Sequence, residues 1–133
     1  MKKINGIYVI IDPEFINNDN PIVMTKKVLD GGAKIIQLRN KTHSVKKTIE
    51  WGNEIVKLCN DYNAISIIND RIDLALITEA DGVHLGQKDI YPNIVKNITN
   101  KKLIIGSSNA LISEVEESEK NDTGYIAIGS IFP

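Results

Sequence analysis

The sequence predicts an α/β protein built on a parallel sheet, and three observations predict it. Short apolar runs of strand length alternate with longer segments of helical spacing along all 133 residues. The apolar runs are continuous, as in strands covered on both faces. Nothing in the chain reads as a β-hairpin. Strand order along the chain does not separate an open doubly wound sheet from a barrel. A dinucleotide-binding fold is disfavoured, because Asp12-Pro13 stands where a glycine-rich fingerprint would follow the first strand.

The first strand is Gly6-Ile7-Tyr8-Val9-Ile10-Ile11, stopped by Asp12-Pro13. Asn20-Pro21 supplies an N-cap and a proline at the first helical position. Ile22, Val28 and Leu29 give that helix its apolar stripe, and Gly31-Gly32 ends it. Lys34 to Leu38 is the second strand, running into the polar ending Arg39-Asn40-Lys41. From about Ser44 to Tyr62, the residues Val45, Ile49, Gly52, Val56 and Cys59 recur at helical spacing, widened by Trp51 and Ile55. Ala64 to Ile68 is the third strand and Asp81 to Leu85 the fourth, with a turn or two of helix between them, from Ile72 to Ile77. Pro92 opens a helix carrying Ile94, Val95 and Ile98. Lys102 to Gly106 is the fifth strand. Leu111, Ile112 and Val115 start a helix whose solvated side carries Glu114, Glu116 and Glu117. Tyr125 to Gly129 is the sixth strand. The whole chain, 1–133, reads as one domain of about six βα units.

Composition narrows the function. A net charge of −1 gives no global field for nucleic acid or an acidic membrane. No run is long enough for a membrane span, and the run after Met1-Lys2-Lys3 is too short for a signal peptide. The single cysteine, Cys59, excludes an internal disulfide framework and fits a reducing, cytoplasmic setting; its place on an apolar helical face reads as packing.

Polar residues cluster where apolar runs stop. Asn69-Asp70 ends the third run, and Gln87 and Asp89 follow the fourth. Parallel strands put these endings at one carboxyl edge, where α/β sheets bind ligands. Asp70 and Asp89 could share a hard cation such as Mg²⁺ with substrate phosphates. The structural alternative is that Asp70 caps the short helix after it and Asp89 caps the helix near Pro92. Gln37, Arg39 and Lys41 alternate in an extended ending and would share a face, with Arg39 and Lys41 suited to phosphate; alone, they also read as solvated cations on a loop. Ser107-Ser108-Asn109 reads as a helix opening able to hold an anion, or as plain capping. His84, on the opposite parity from Val83 and Leu85, reads as a neutral core histidine with a satisfied hydrogen bond. His43 and Trp51 carry no catalytic signal. Convergence of these endings on one rim would suit a phosphate ester with Mg²⁺.

Four blocks carry a resemblance: Gln37-Leu38-Arg39-Asn40-Lys41, Ile68 to Ala75, Ala80 to Asp89, and Gly129-Ser130-Ile131-Phe132-Pro133. In this order and spacing they resemble thiamine phosphate synthase, and the similarity runs from Gly6 onward. The resemblance implies a TIM-type (β/α) barrel and a Mg²⁺-dependent transferase. It implies that 4-amino-5-hydroxymethyl-2-methylpyrimidine diphosphate is joined to a thiazole phosphate, giving thiamine phosphate and diphosphate. By motif, Gln37, Arg39, Lys41 and Asn69 would bind the pyrimidine diphosphate, Ser108 would contact its diphosphate, and Asp70 and Asp89 would hold Mg²⁺. Arg39, Lys41 and Ser108 would act on the departing charge, and no protein nucleophile is needed.

The chain departs from the family pattern in places. Asn40 stands where the family has glutamate, at a position expected to point away from the ligand. Ala110 stands where related thiazole tautomerases use a catalytic histidine, which argues against that alternative. Barrels of this kind need roughly 200 residues or more, so the chain is expected to be an incomplete barrel, truncated after the sixth strand and lacking the thiazole phosphate loops. A non-catalytic or partner-completed remnant that binds the pyrimidine diphosphate is a further alternative. Its open sheet edges would allow homo-oligomers.

Overall fold

A computed structural model describes residues 2–17, 20–100, 102–121 and 123–132. Six strands and five helices alternate: β1 (Tyr8–Ile11), α1 (Pro21–Asp30), β2 (Ile35–Leu38), α2 (Val45–Asp61), β3 (Ile65–Asn69), α3 (Ile72–Ile77), β4 (Gly82–Leu85), α4 (Pro92–Ile98), β5 (Ile104–Asn109), α5 (Ile112–Lys120) and β6 (Tyr125–Ile128). All neighbouring strands pair in parallel, and the sheet order is the chain order, β1 to β6. A doubly wound sheet reverses its order at a switch point; this one never does. The sheet also curls. Tyr8 on β1 and Tyr125 on β6 belong to the two outermost strands, yet their hydroxyls meet at 2.7 Å across the concave face. The fold is therefore an incomplete TIM-type barrel, as expected.

Strand parity divides the apolar residues into two cores. Ile11, Ile36, Leu38, Ile68, Val83, Leu85 and Ile105 pack outward against Leu29, Val56, Cys59, Leu74 and Val95 of the helices. Ile35, Ile65, Ile67 and Ile104 form a second cluster on the inner face, flanked by Tyr8 and Tyr125. Each such side chain contributes about 1.5–3 kcal/mol by leaving water. The inner positions run in register. Gln37, Ile67, Gly82 and Ile104 form one row, and Asn69, His84, Gly106 and Tyr125 form the next, nearer the carboxyl edge. The apolar row supports the polar one.

Local signals explain the helices. The Asn20 side chain accepts from Ile22 N at 2.8 Å, with Pro21 at the first helical position. Ser44 caps α2. Thr48, Gly52, Ile55, Val56 and Cys59 are the buried face of α2, whereas Val45 lies exposed at its first turn.

Three expectations are corrected. Ser107-Ser108-Asn109 does not open a helix; β5 continues through Asn109, pairing Ser107 with Ile126, Ser108 with Ala127 and Asn109 with Ile128. The sheet ladder takes the backbone groups a helix would have used. Leu111 and Ile112 are exposed, and the buried residue of α5 is Ser118. Glu114 turns back to accept from Ala110 N at 2.6 Å and Leu111 N at 3.1 Å, which closes the first turn of α5. Finally, Ile10 is 52% exposed, so β1 is not covered on both faces. Of the block at the chain's end, Pro133 lies outside the described residues.

Candidate functional site

The carboxyl ends of β1 to β5 bring the predicted residues to one rim. Gln37, inward on β2 and buried, donates from Nε2 to the Tyr8 hydroxyl at 2.7 Å. One inward step further, Arg39 continues the ladder by donating its N–H to Ile11 O at 2.9 Å. Its guanidinium forms an ion pair with Asp12. Asp12 is buried and also accepts from Glu14 N at 3.0 Å. A buried carboxylate paired in this way holds the guanidinium in one place, with further N–H groups left for an anion. Lys41 lies beyond the strand in a bend and pairs with Asp70. Gln37, Arg39 and Lys41 thus reach the rim together but fan towards different neighbours.

Asn69 closes β3 in register with His84. Asp70 follows at φ +61°, a left-handed conformation that aspartate tolerates better than most residues. Its N–H donates to His84 O at 2.8 Å, which fixes the turn against β4. Neither carboxylate serves as a helix cap. The residue at the head of α3 is Arg71 and at the head of α4 is Tyr91, and neither helix has a side-chain cap bond. Asp89 instead closes a turn by accepting from Gly86 N at 2.7 Å through Oδ2.

His84 is 8% exposed and hydrogen-bonded at both nitrogens, to Tyr125 Oη at 2.8 Å and Ser108 Oγ at 2.7 Å. Burial pushes its pKa below the ordinary 6.5, against the opposing pull of Asp70 and Asp89. His84 matches the expectation of a satisfied, neutral core histidine. Ser108 stands on the exposed rim, and its backbone carbonyl accepts from Gln87 at 2.7 Å. Asn40 points away from the rim, holding its own loop through His43 O and Thr48. His43 packs edge-on against Trp51 at 5.1 Å between ring centroids, a packing contact.

Sequence reasoning missed three residues. In sequence Asp12 reads only as a strand stop, although it ends β1 as Arg39 ends β2. Tyr8 and Tyr125 read only as strand residues, although they share the inward parity of Gln37 and His84. Burial raises the pKa of both phenols above the usual 10.0. A concavity of about 940 Å³ lies at the opposite end of the sheet beside Lys2, Ile4, Ile104 and Gly124, away from this rim.

The family model described as thiamine monophosphate synthase matches residues 7–133. A thiamine-phosphate synthase of Caldivirga maquilingensis is 41% identical over 133 residues, covering 100% of this chain and 64% of that protein. One from Chlorobium phaeovibrioides is 42% identical over 113 residues, covering 85% of this chain and 54% of that one. The solved structure of a thiamine phosphate pyrophosphorylase from Pyrococcus furiosus superposes with a TM-score of 0.85 at 34% identity, over 93% of this chain and 60% of that chain. The chain spans between about half and just under two thirds of the length of these relatives.

Proposed function

The chain belongs to the thiamine monophosphate synthase family, and on that premise we propose that its rim binds 4-amino-5-hydroxymethyl-2-methylpyrimidine diphosphate. The pyrimidine is then transferred to a thiazole phosphate. The observation that carries this reading is the convergence of Gln37, Arg39, Asn69, Asp70, Asp89 and Ser108 at the carboxyl ends of four adjacent strands. That edge supplies cationic donors, a hydroxyl and two carboxylates, the set a metal-bound diphosphate requires.

The reaction breaks the bond between the pyrimidine's methylene carbon and the diphosphate oxygen, and the electron pair leaves with diphosphate. The thiazole nitrogen's lone pair forms the new C–N bond. Arg39, pre-aimed by Asp12, and Lys41 stabilise the departing charge, and the Ser108 hydroxyl donates to it. Asp70 and Asp89 would hold Mg²⁺. Among the described residues no three acidic, histidine or cysteine side chains gather as a self-sufficient metal site, so phosphate and water oxygens would complete the shell, as that ion prefers. When bound, the ion neutralises charge on the diphosphate. The lone, buried Cys59 supports a reducing, cytoplasmic setting.

The test is formation of thiamine phosphate from the two substrates with Mg²⁺, alongside calorimetric binding of the pyrimidine diphosphate. Arg39→Ala should lower turnover by about 10²–10³, the usual loss for one preorganised donor to developing charge. A wild-type protein that gives neither product nor binding heat overturns the reading.

A further inference from the structure

The inner face carries an unbroken line of five side chains: Gln37 Nε2 to Tyr8 Oη at 2.7 Å, Tyr8 Oη to Tyr125 Oη at 2.7 Å, Tyr125 Oη to His84 Nδ1 at 2.8 Å, and His84 Nε2 to Ser108 Oγ at 2.7 Å. It crosses the barrel from β2 by way of β1, β6 and β4 to the rim end of β5. Its direction follows from what each group can give. An amide NH₂ only donates, so Tyr8 accepts from Gln37. Each phenol has one hydrogen. Tyr8 gives its own to Tyr125, and Tyr125 gives its own to His84 Nδ1. A neutral imidazole that accepts at Nδ1 carries its hydrogen on Nε2, and that hydrogen goes to Ser108. Ser108, with a lone pair engaged from behind, has its own hydrogen to give at the rim. The reverse order would leave the Tyr8 hydrogen without a place in this line and turn the Ser108 hydrogen inward, towards His84.

We propose that Tyr8 and Tyr125 are positioning residues that hold His84 as its neutral Nε2–H tautomer and thereby fix the Ser108 hydroxyl as an outward donor to an anion at the rim. The role given to Ser108 rests on the reading of the rim as a diphosphate site; the direction of the line does not. Packing reinforces it. A Cβ on Gly106 would stand 2.0 Å from Tyr125 Cζ, so only glycine beneath the ring lets the phenol reach both Tyr8 and His84. The Tyr125 ring also lies 5.8 Å from that of Tyr8 and 5.5 Å from the imidazole, between centroids.

The test combines the nitrogen NMR spectrum of the protein, labelled on histidine, with calorimetry using inorganic diphosphate and Mg²⁺ as the probe. The wild type should show His84 as the Nε2–H tautomer alone. Tyr125→Phe should give a mixture of tautomers, and Tyr8→Phe a smaller change, because Tyr125 can still donate. Ser108→Ala should weaken diphosphate binding about tenfold, the usual loss of one hydrogen bond to a charged group. Tyr125→Phe should weaken it several-fold, and the double variant should bind no worse than Ser108→Ala. Losses that simply add would mark Tyr125 as merely structural and overturn the proposal. An Nδ1–H or charged His84 in the wild type overturns it whether or not the variants fold. A wild type that binds no diphosphate overturns the reading of the rim and the role of Ser108, while the tautomer result still decides the direction of the line.

Discussion

Gly82→Ala should destabilise the protein by about 3 kcal/mol, and the reason lies in one row of the inner face. Gly82 sits between Ile67 on β3 and Ile104 on β5. A Cβ built there stands 2.2 Å from the Ile104 carbonyl oxygen, 2.8 Å from Ile104 Cβ and 2.9 Å from Ile67 Cδ1, where ordinary contact begins at 3.4 Å. The Ile67 methyl can rotate away. The carbonyl cannot, because it belongs to the backbone of a strand with neighbours on both sides. β4 and β5 must therefore part locally by about 1 Å. Overpacking of this kind costs about 1–3 kcal/mol, and each ladder hydrogen bond loosened adds about 1 kcal/mol. With a urea dependence of about 1.5 kcal/mol per molar, the midpoint should fall by about 2 M at unchanged slope. Gly31→Ala is the control. Its φ is −76° and its Cβ would meet nothing closer than 3.4 Å, so the midpoint should hold or rise slightly. A Gly82→Ala midpoint within about 0.3 M of the wild type would refute the argument that close strand approach requires this glycine.

Asp70→Asn should separate stability from binding. Asparagine accepts the left-handed φ, and the Lys41 pair it breaks is solvent-exposed, so stability should move by less than about 1 kcal/mol; calorimetry should show binding of Mg²⁺-diphosphate reduced at least tenfold. Asp70→Val at the same φ should cost about 1–2 kcal/mol more in a thermal melt. The Cys59 thiol, pushed up to about 12 by burial, should resist alkylation at neutral pH until denaturant exposes it. Tyr8 and Tyr125 should titrate with unfolding rather than before it. Their folded pKa values lie above the usual 10.0, so the unfolded chain releases protons first and stability falls as pH rises past that value. Phenolate absorbance rising ahead of the loss of circular dichroism would contradict this, and Tyr125→Phe should soften the alkaline limb.

The alternation of strands and helices was legible because two periodicities are written into the side chains, and because Asn20-Pro21, Ser44 and Pro92 mark helix starts chemically. The closing of the sheet into a curve was not legible in that local pattern, since every parallel βα series shares it; the family resemblance implied it, and the Tyr8–Tyr125 contact between the outermost strands displays it. Residues ending apolar runs were readable as a rim. Their partners were not. Asp12 holds Arg39 through a contact between neighbouring strands, and nothing within the segment Ile11-Asp12-Pro13 encodes that. Ser108 reached the rim by a different route from the one expected, on an extended β5 instead of a helix start, because pairing with Ala127 claims its backbone.

The Tyr8–Tyr125 hydroxyl bond also orders events in time. Each neighbouring strand pair is joined through one crossover, so those pairings close fairly short loops. The two tyrosines are 117 residues apart in sequence. Closing so long a loop is favourable only once the strands between are set, which places this contact after the rate-limiting step. Tyr8→Phe should then leave the refolding rate unchanged and speed unfolding a few-fold, a φ-value near zero. The side chains that aim the rim would be the last to fall into line and the first to let go, so the site is assembled and dismantled on the native side of the barrier.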